Sequence, residues 1–402
     1  MIKNKCFIFS LIFSVFVAAD ISADVFFSGF AGAKADLSSD PQSSGFDPDL
    51  KVQSFFSGQF NISENVITHM EFSLGTANLL EDSIFTKTDA QFQVDEISLI
   101  LRTQFYSVKN YLSVFAGTYE PIGSDIFLRR QFGIQPISSR LTESWLGLAG
   151  SVIYPLFGVG GSDVIHFTSA PVATGLYVYV NHELDDSYVW NSDARFGCVF
   201  RFFAFDMACG IGVPLSSGDS DAFLVIDKLY CRGAFNMLFG NKYTNSLYLQ
   251  AGTSEVPLTK KDSTFEIAAD KTYILMEPRF RFPQVNVNIT IFSLPADSAD
   301  EFYLIDGTFG ANLDVFSNTF NSGTKTLMFG LSSQLSFNGK YFDALLAPQD
   351  LFDDWTLSVS PYLQTNFCNG ELHTMLQVRP TDIFDGNGAS CWSVKIGYKS
   401  QF

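Results

Sequence analysis

The chain is short of charge, of histidine and of long apolar runs, and each shortage excludes a class. Only 17% of its 402 residues are charged, and 25 Lys and Arg stand against 42 Asp and Glu. No basic face is available, so nucleic-acid binding is not expected. The four histidines are His69, His166, His182 and His373. His182 lies near Asp185 and Asp186, but any acidic loop gives that spacing by chance, and no nucleophile adjoins it. The chain is not read as an enzyme, and no cofactor is expected. There is no Cys-x-x-Cys and no EF-hand spacing, so no metal site is assigned. The stretch FGVGGSD (157–163) lacks the Lys of a phosphate loop and reads as a hairpin turn. No window offers the run of about eighteen apolar residues that a spanning helix needs, which excludes a helical membrane protein.

The N-terminus has a leader's layout. Lys3 and Lys5 flank an apolar run from Phe7 to Val17, and Ala18, Ala19, Ser22 and Ala23 supply small residues for cleavage. This predicts a secretory signal peptide over 1–23, cut after Ala19 or Ala23, and a mature chain of 24–402. Loss of Lys3, Lys5 and Asp20 makes the net charge one unit more negative than the −17 of the whole chain.

Apolar residues, by contrast, are abundant: 47% of the chain, with 43 Phe. A soluble protein so lean in charge would need a very large core. A membrane barrel needs none, because its apolar face meets lipid and its polar face lines the inside. The sequence alternates accordingly. Leu50, Val52, Phe56, Phe60 and Ile62 oppose Lys51, Gln53, Ser57, Gln59 and Asn61, with Phe55 the exception. Val285, Val287, Ile289 and Ile291 oppose Asn286, Asn288 and Thr290. At the C-terminus Trp392, Val394, Ile396, Tyr398 and Phe402 share one parity, broken by Ser400. Long polar connections alternate with short turns, the longest being 120–144. The pattern blurs near 155–182, where Pro171 leaves open one bent strand or two. The expected fold is all-β: one closed antiparallel transmembrane barrel of about 16–18 strands, with long outer loops and short periplasmic turns.

On these residues the chain resembles the Gram-negative outer-membrane β-barrel proteins, porin-type. The resemblance covers nearly the whole mature chain and implies an outer-membrane location. It also implies that Trp392, Val394, Ile396, Tyr398 and Phe402 form an insertion signal read by the barrel-assembly machinery. Other partners implied are outer-membrane lipid and small solutes, with a homotrimer as a candidate assembly. In that family the third outer loop folds into the lumen. Here that loop is 120–144, which places Glu120, Asp125, Arg129, Arg130, Arg140 and Glu143 at a constriction. The expected function is passive diffusion of small hydrophilic solutes and ions; the alternatives are a surface adhesin, a structural barrel without transport, or a barrel for apolar substrates.

Charges facing lipid at mid-depth cost roughly 2–4 kcal/mol, so Lys51, Gln53, Arg195, Arg201, Glu277, Arg279 and Arg281 are expected to face the lumen. Acid gathers in the predicted outer loops: Asp36, Asp40, Asp47 and Asp49; Glu183, Asp185 and Asp186; Asp219 and Asp221; Asp297, Asp300 and Glu301; Asp350, Asp353 and Asp354. Negative mouths favour cations, so a mild cation preference is expected. After cleavage Cys198, Cys209, Cys231, Cys368 and Cys391 remain. Cys198 and Cys209 are equidistant from a turn placed at Phe203–Ala204, which makes them a candidate disulfide; the preferred reading is that they are small apolar barrel residues.

Overall fold

The structure is a computed structural model that describes residues 26–39, 47–81, 89–142, 153–154, 156–182, 188–215, 229–241, 243–258, 267–299, 302, 304–322, 325–346, 355–384 and 391–402. The proposed signal peptide and Glu143 lie outside the described residues.

Among the described residues, nineteen strands form a single sheet in which every neighbour is antiparallel. In chain order they are β1 (Phe26–Ser39), β2 (Pro48–Asn61), β3 (Val66–Thr76), β4 (Ala90–Phe105), β5 (Val108–Gly117), β6 (Gly158–Phe167), β7 (Val172–His182), β8 (Tyr188–Phe200), β9 (Phe203–Leu215) and β10 (Tyr230–Gly240). There follow β11 (Ser246–Pro257), β12 (Thr272–Arg281), β13 (Val285–Ser293), β14 (Phe309–Ser317), β15 (Phe320–Ser322), β16 (Lys325–Phe337), β17 (Trp355–Phe367), β18 (Gly370–Val378) and β19 (Trp392–Gln401). The short β15 continues β14 along the same edge of β16, so the barrel has eighteen staves. It closes where β19 pairs with β1, from Phe30 opposite Gln401 to Ser38 opposite Ser393. Full closure leaves no sheet edge with unpaired backbone groups, which lipid would not tolerate.

Connections 40–47, 77–89, 118–157, 183–187, 216–229, 258–271, 294–308, 338–354 and 379–391 share one end of the barrel. Those at the other end are tighter, as at 106–107, 201–202, 282–284 and 368–369. Segment 155–182 is two strands, and Pro171 sits in the turn between them. FGVGGSD is not a turn: Gly158 to Asp163 lie within β6. A Cβ at Gly160 would strike the Val178 carbonyl and the body of Tyr179, so the glycines there let β6 and β7 pack around that tyrosine. Alternation of large and absent side chains thus imitates a turn composition inside a strand.

One face of each strand is apolar and exposed, as with Leu112, Val114, Leu176, Val178, Met207 and Ile211. The other face is polar and enclosed, as with Glu96, Asn191, Asp193, Arg195, Asp206, Glu277 and Arg279. This inversion of the soluble pattern is what a barrel in lipid requires.

Two sequence expectations shift with these strand ends. Asp36 and Asp49 lie within β1 and β2, not in outer loops. The β8–β9 turn is Arg201–Phe202, so Cys198 pairs with Phe205 and Cys209 with Ala194. Both thiols are free, and the disulfide is ruled out by this register.

Candidate functional site

The third long connection, 118–157, turns inward at a built departure point. Asp95 is a bulge in β4, between Glu96 opposite Glu71 and Val94 opposite Phe72. Its carbonyl accepts from Thr118 N, and Gly117 adopts φ +127° against it. Gly is required there, because a side chain would be strained at that φ and would meet the Asp95 backbone. Beyond it the chain runs along the inner wall into helix α1 (Ile126–Phe132), which ends on Gly133 at φ 63°. Phe127 and Leu128 are fully buried against the barrel, where Gly197 leaves room for both.

The wall holds the loop by its carbonyls. Arg195 donates to Glu120 O and Ser124 O, each at 2.7 Å, and through Nε to Asp206 at 2.9 Å. Asn236 adds a bond to Ser124 O at 2.9 Å, and Gln250 donates to Gly123 O. Arg279 donates to Ile137 O at 2.8 Å and Ser138 O at 3.0 Å while bonded to Glu277 at 2.6 Å. The Glu277 carboxylate also accepts from Ser139 and, at 2.7 Å, from Thr290. Buried guanidiniums need such partners, and each here binds one wall carboxylate plus loop carbonyls.

Of the residues predicted at the constriction, Asp125 is structural. It is wholly buried, and its Oδ2 accepts from Ile137 N at 2.8 Å and Ser138 N at 3.2 Å, closing the loop on itself. Glu120 is buried, accepts from Tyr177 and lies 3.7 Å from Arg130. Burial holds its carboxyl above the ordinary value, against the pull of Arg130 and Arg195. Arg129 and Arg130 remain partly open. Arg130 binds Glu96 at 2.7 Å and stacks on Tyr119 at 4.8 Å. Arg140 reaches the far wall, lying over the rings of Phe316 (4.8 Å) and Tyr362 (4.9 Å).

Among the residues predicted to face the lumen, Arg195, Glu277 and Arg279 are inward and bound to the loop. Lys51 is exposed and pairs with Asp49 at 2.7 Å, and Gln53 lies on the same face of β2. Arg281 binds Asn288 at 2.8 Å. Arg201 is corrected: it lies in the short turn after β8, stacked on Phe202 at 5.0 Å. Its parity matched Arg195, but the strand ends before it.

Sequence reasoning missed a second infolded connection, 294–308. Leu294, Ala299, Phe302 and Ile305 pack in one buried cluster with Ile137, Leu141 and Ile153 of the third loop, and Ser298 Oγ donates to Ile153 O. Leu304 reaches Phe55 of β2 and Met375 of β18. Phe55, the exception to alternation, is therefore an inward seat for this loop. His69, Glu71 and Glu96 also converge, their ligand-type atoms within 4.8 Å, but Arg130 already binds Glu96.

The described residues thus form a closed antiparallel barrel of eighteen staves with a polar interior and an infolded third loop. Comparison with solved structures finds mutants of the porin of Rhodopseudomonas blastica. One matches with TM-score 0.41 and 10% identity, another, a triple mutant, with TM-score 0.40 and 10% identity; each match covers 94% of this chain and 100% of that one. No family model matches the sequence, and no curated protein matches it.

Proposed function

We propose that the protein is an outer-membrane channel for passive diffusion of small hydrophilic solutes and ions. The supporting observation is the inverted barrel: ionisable side chains line the inside, and a loop fixed by Arg195 and Arg279 narrows it. A charged, narrowed lumen focuses its field on passing solutes. Acid at the outer rim is the basis for proposing a mild cation preference as well; of that acid, Asp47 and Asp297 are described and exposed. Steady single-channel steps in a planar bilayer are expected from the purified protein, with reversal potentials in a salt gradient favouring the cation. Silence would instead favour a structural or adhesive barrel, a reading that the apolar cluster inside the lumen supports. Outer-membrane lipid, the assembly machinery and a homotrimer remain proposed partners on the same reading.

A further inference from the structure

Asp306 lies near the end of the 294–308 connection, and every polar atom of that residue is engaged by the wall. Its Oδ1 accepts from Arg379 Nε (3.2 Å) and Nη2 (2.7 Å), and its Oδ2 accepts from Gln377. Its N–H donates to Gln334 at 2.8 Å, and its carbonyl accepts from Ser336. An acid merely wetted by a lumen would leave most of these positions to water. The partners sit on β16, on β18 and just past the end of β18, beyond the connection's own root strands. Two residues earlier Leu304 is buried against Phe55 and Met375, so the limb is held by an apolar plug and a charged bolt together. Gly307 follows at φ +139°, a conformation in which only glycine turns freely, and the chain then enters β14. At its start the connection is tied to the third loop through Ser298 and Ile153. The two loops therefore form one bridge across the lumen.

We propose that Asp306 is a specificity-determining residue: by latching the 294–308 connection to Arg379, it sets the size of solute that the lumen passes. The inference rests on the channel reading above and adds a second determinant to the third loop. Removing the carboxylate leaves Arg379 and Gln377 to water. Only the backbone bonds of Asp306 to Gln334 and Ser336 then hold the limb carrying Leu304, which loosens about Gly307 toward the outer mouth.

The test compares wild type, Asp306→Ala, Arg379→Gln and the double variant in full-length protein. The readouts are single-channel conductance in planar bilayers and swelling of proteoliposomes in sugars of increasing size. Heat-modifiable gel mobility identifies folded barrel. Both single variants are expected to raise unitary conductance roughly twofold and admit a larger sugar, as widening of a constriction predicts. The double variant is expected to go no further than either single, because both cut the same bond. Folded variants with wild-type conductance and sugar cutoff would overturn the latch. Silence of wild type and variants alike would defeat the channel reading and the size claim with it. A silent wild type with conducting variants would support the latch as a closure. Should Asp306→Ala not fold, Arg379→Gln reads the same bond from the wall side.

Discussion

Glu120 carries an electrostatic cost that can be measured. Its carboxyl is easier to protonate in the folded loop than in the unfolded chain, because burial outweighs the nearby guanidiniums. Such a group favours folding where it is protonated, below its ordinary value, and that contribution is lost as pH rises through the raised one. Glu120→Gln removes the titration. The difference in unfolding midpoint, variant minus wild type, should therefore become more positive from about pH 4 to about pH 8. Thermal scans in detergent micelles across that range check it, and a flat or falling difference would mean that Arg130 and Arg195 prevail. Residue-level legibility followed parity. Arg195, Glu277 and Arg279 are expected inward because side chains alternate; in the structure all three are buried and bonded to the third loop. What each one binds was not legible, since Arg195 and Glu120 O are 75 residues apart in the chain. Arg201 failed for a local reason: the turn comes two residues earlier than the sequence suggested, which also moved Cys198 away from Cys209.

Strands and loops were legible to different degrees for physical reasons. A strand in lipid writes its two faces into every second residue, so most strands could be found without any contact being known. β6 escaped because its glycines accommodate Tyr179, a feature of its neighbour. That strand also breaks the facing rule. Asp163 pairs with Leu112 and Leu176 on the outer surface, exposed, its carboxylate accepting from Asn110 at 2.7 Å. A carboxylate toward lipid is unfavourable, though less so than a basic group. Asp163→Leu should stabilise the barrel by on the order of 1 kcal/mol, net of the lost Asn110 bond. Urea unfolding from lipid vesicles followed by tryptophan fluorescence checks this, and a clear loss of stability would mean that a polar neighbour covers Asp163. Loop 118–157 stood out by its length and its apolar residues. The connection 294–308 carries the same signal in Leu294, Phe302, Leu304 and Ile305, but it is shorter, and its seats at Phe55 and Met375 lie far away in sequence.

For the whole molecule the decisive contact is the seam. Seventeen of the eighteen pairings between staves can form hairpin by hairpin, but β1 and β19 come from opposite ends of the sheet order and must find each other last or pay the closure entropy first. Phe402 stands at that seam. Its N–H donates to Gly29 O at 3.0 Å, and its carbonyl accepts from Gly29 N at 3.1 Å. Its ring stacks on Phe27 at 5.0 Å and Phe56 at 5.9 Å, within an outer aromatic band that continues through Phe72 and Phe92. Phe402 thus acts in the finished barrel, apart from any role as an insertion signal. The two roles separate by substitution. Phe402→Ala keeps the backbone pair and loses the ring, at roughly 1 kcal/mol for aromatic contacts of this kind. Deleting Phe402 removes both and should lower stability further. Refolding each variant into pure lipid vesicles, with no assembly machinery present, and scoring heat-modifiable mobility gives the answer. Graded losses in that system would establish the seam contact, whereas wild-type yield and stability for both variants would leave Phe402 with no part in closing the barrel.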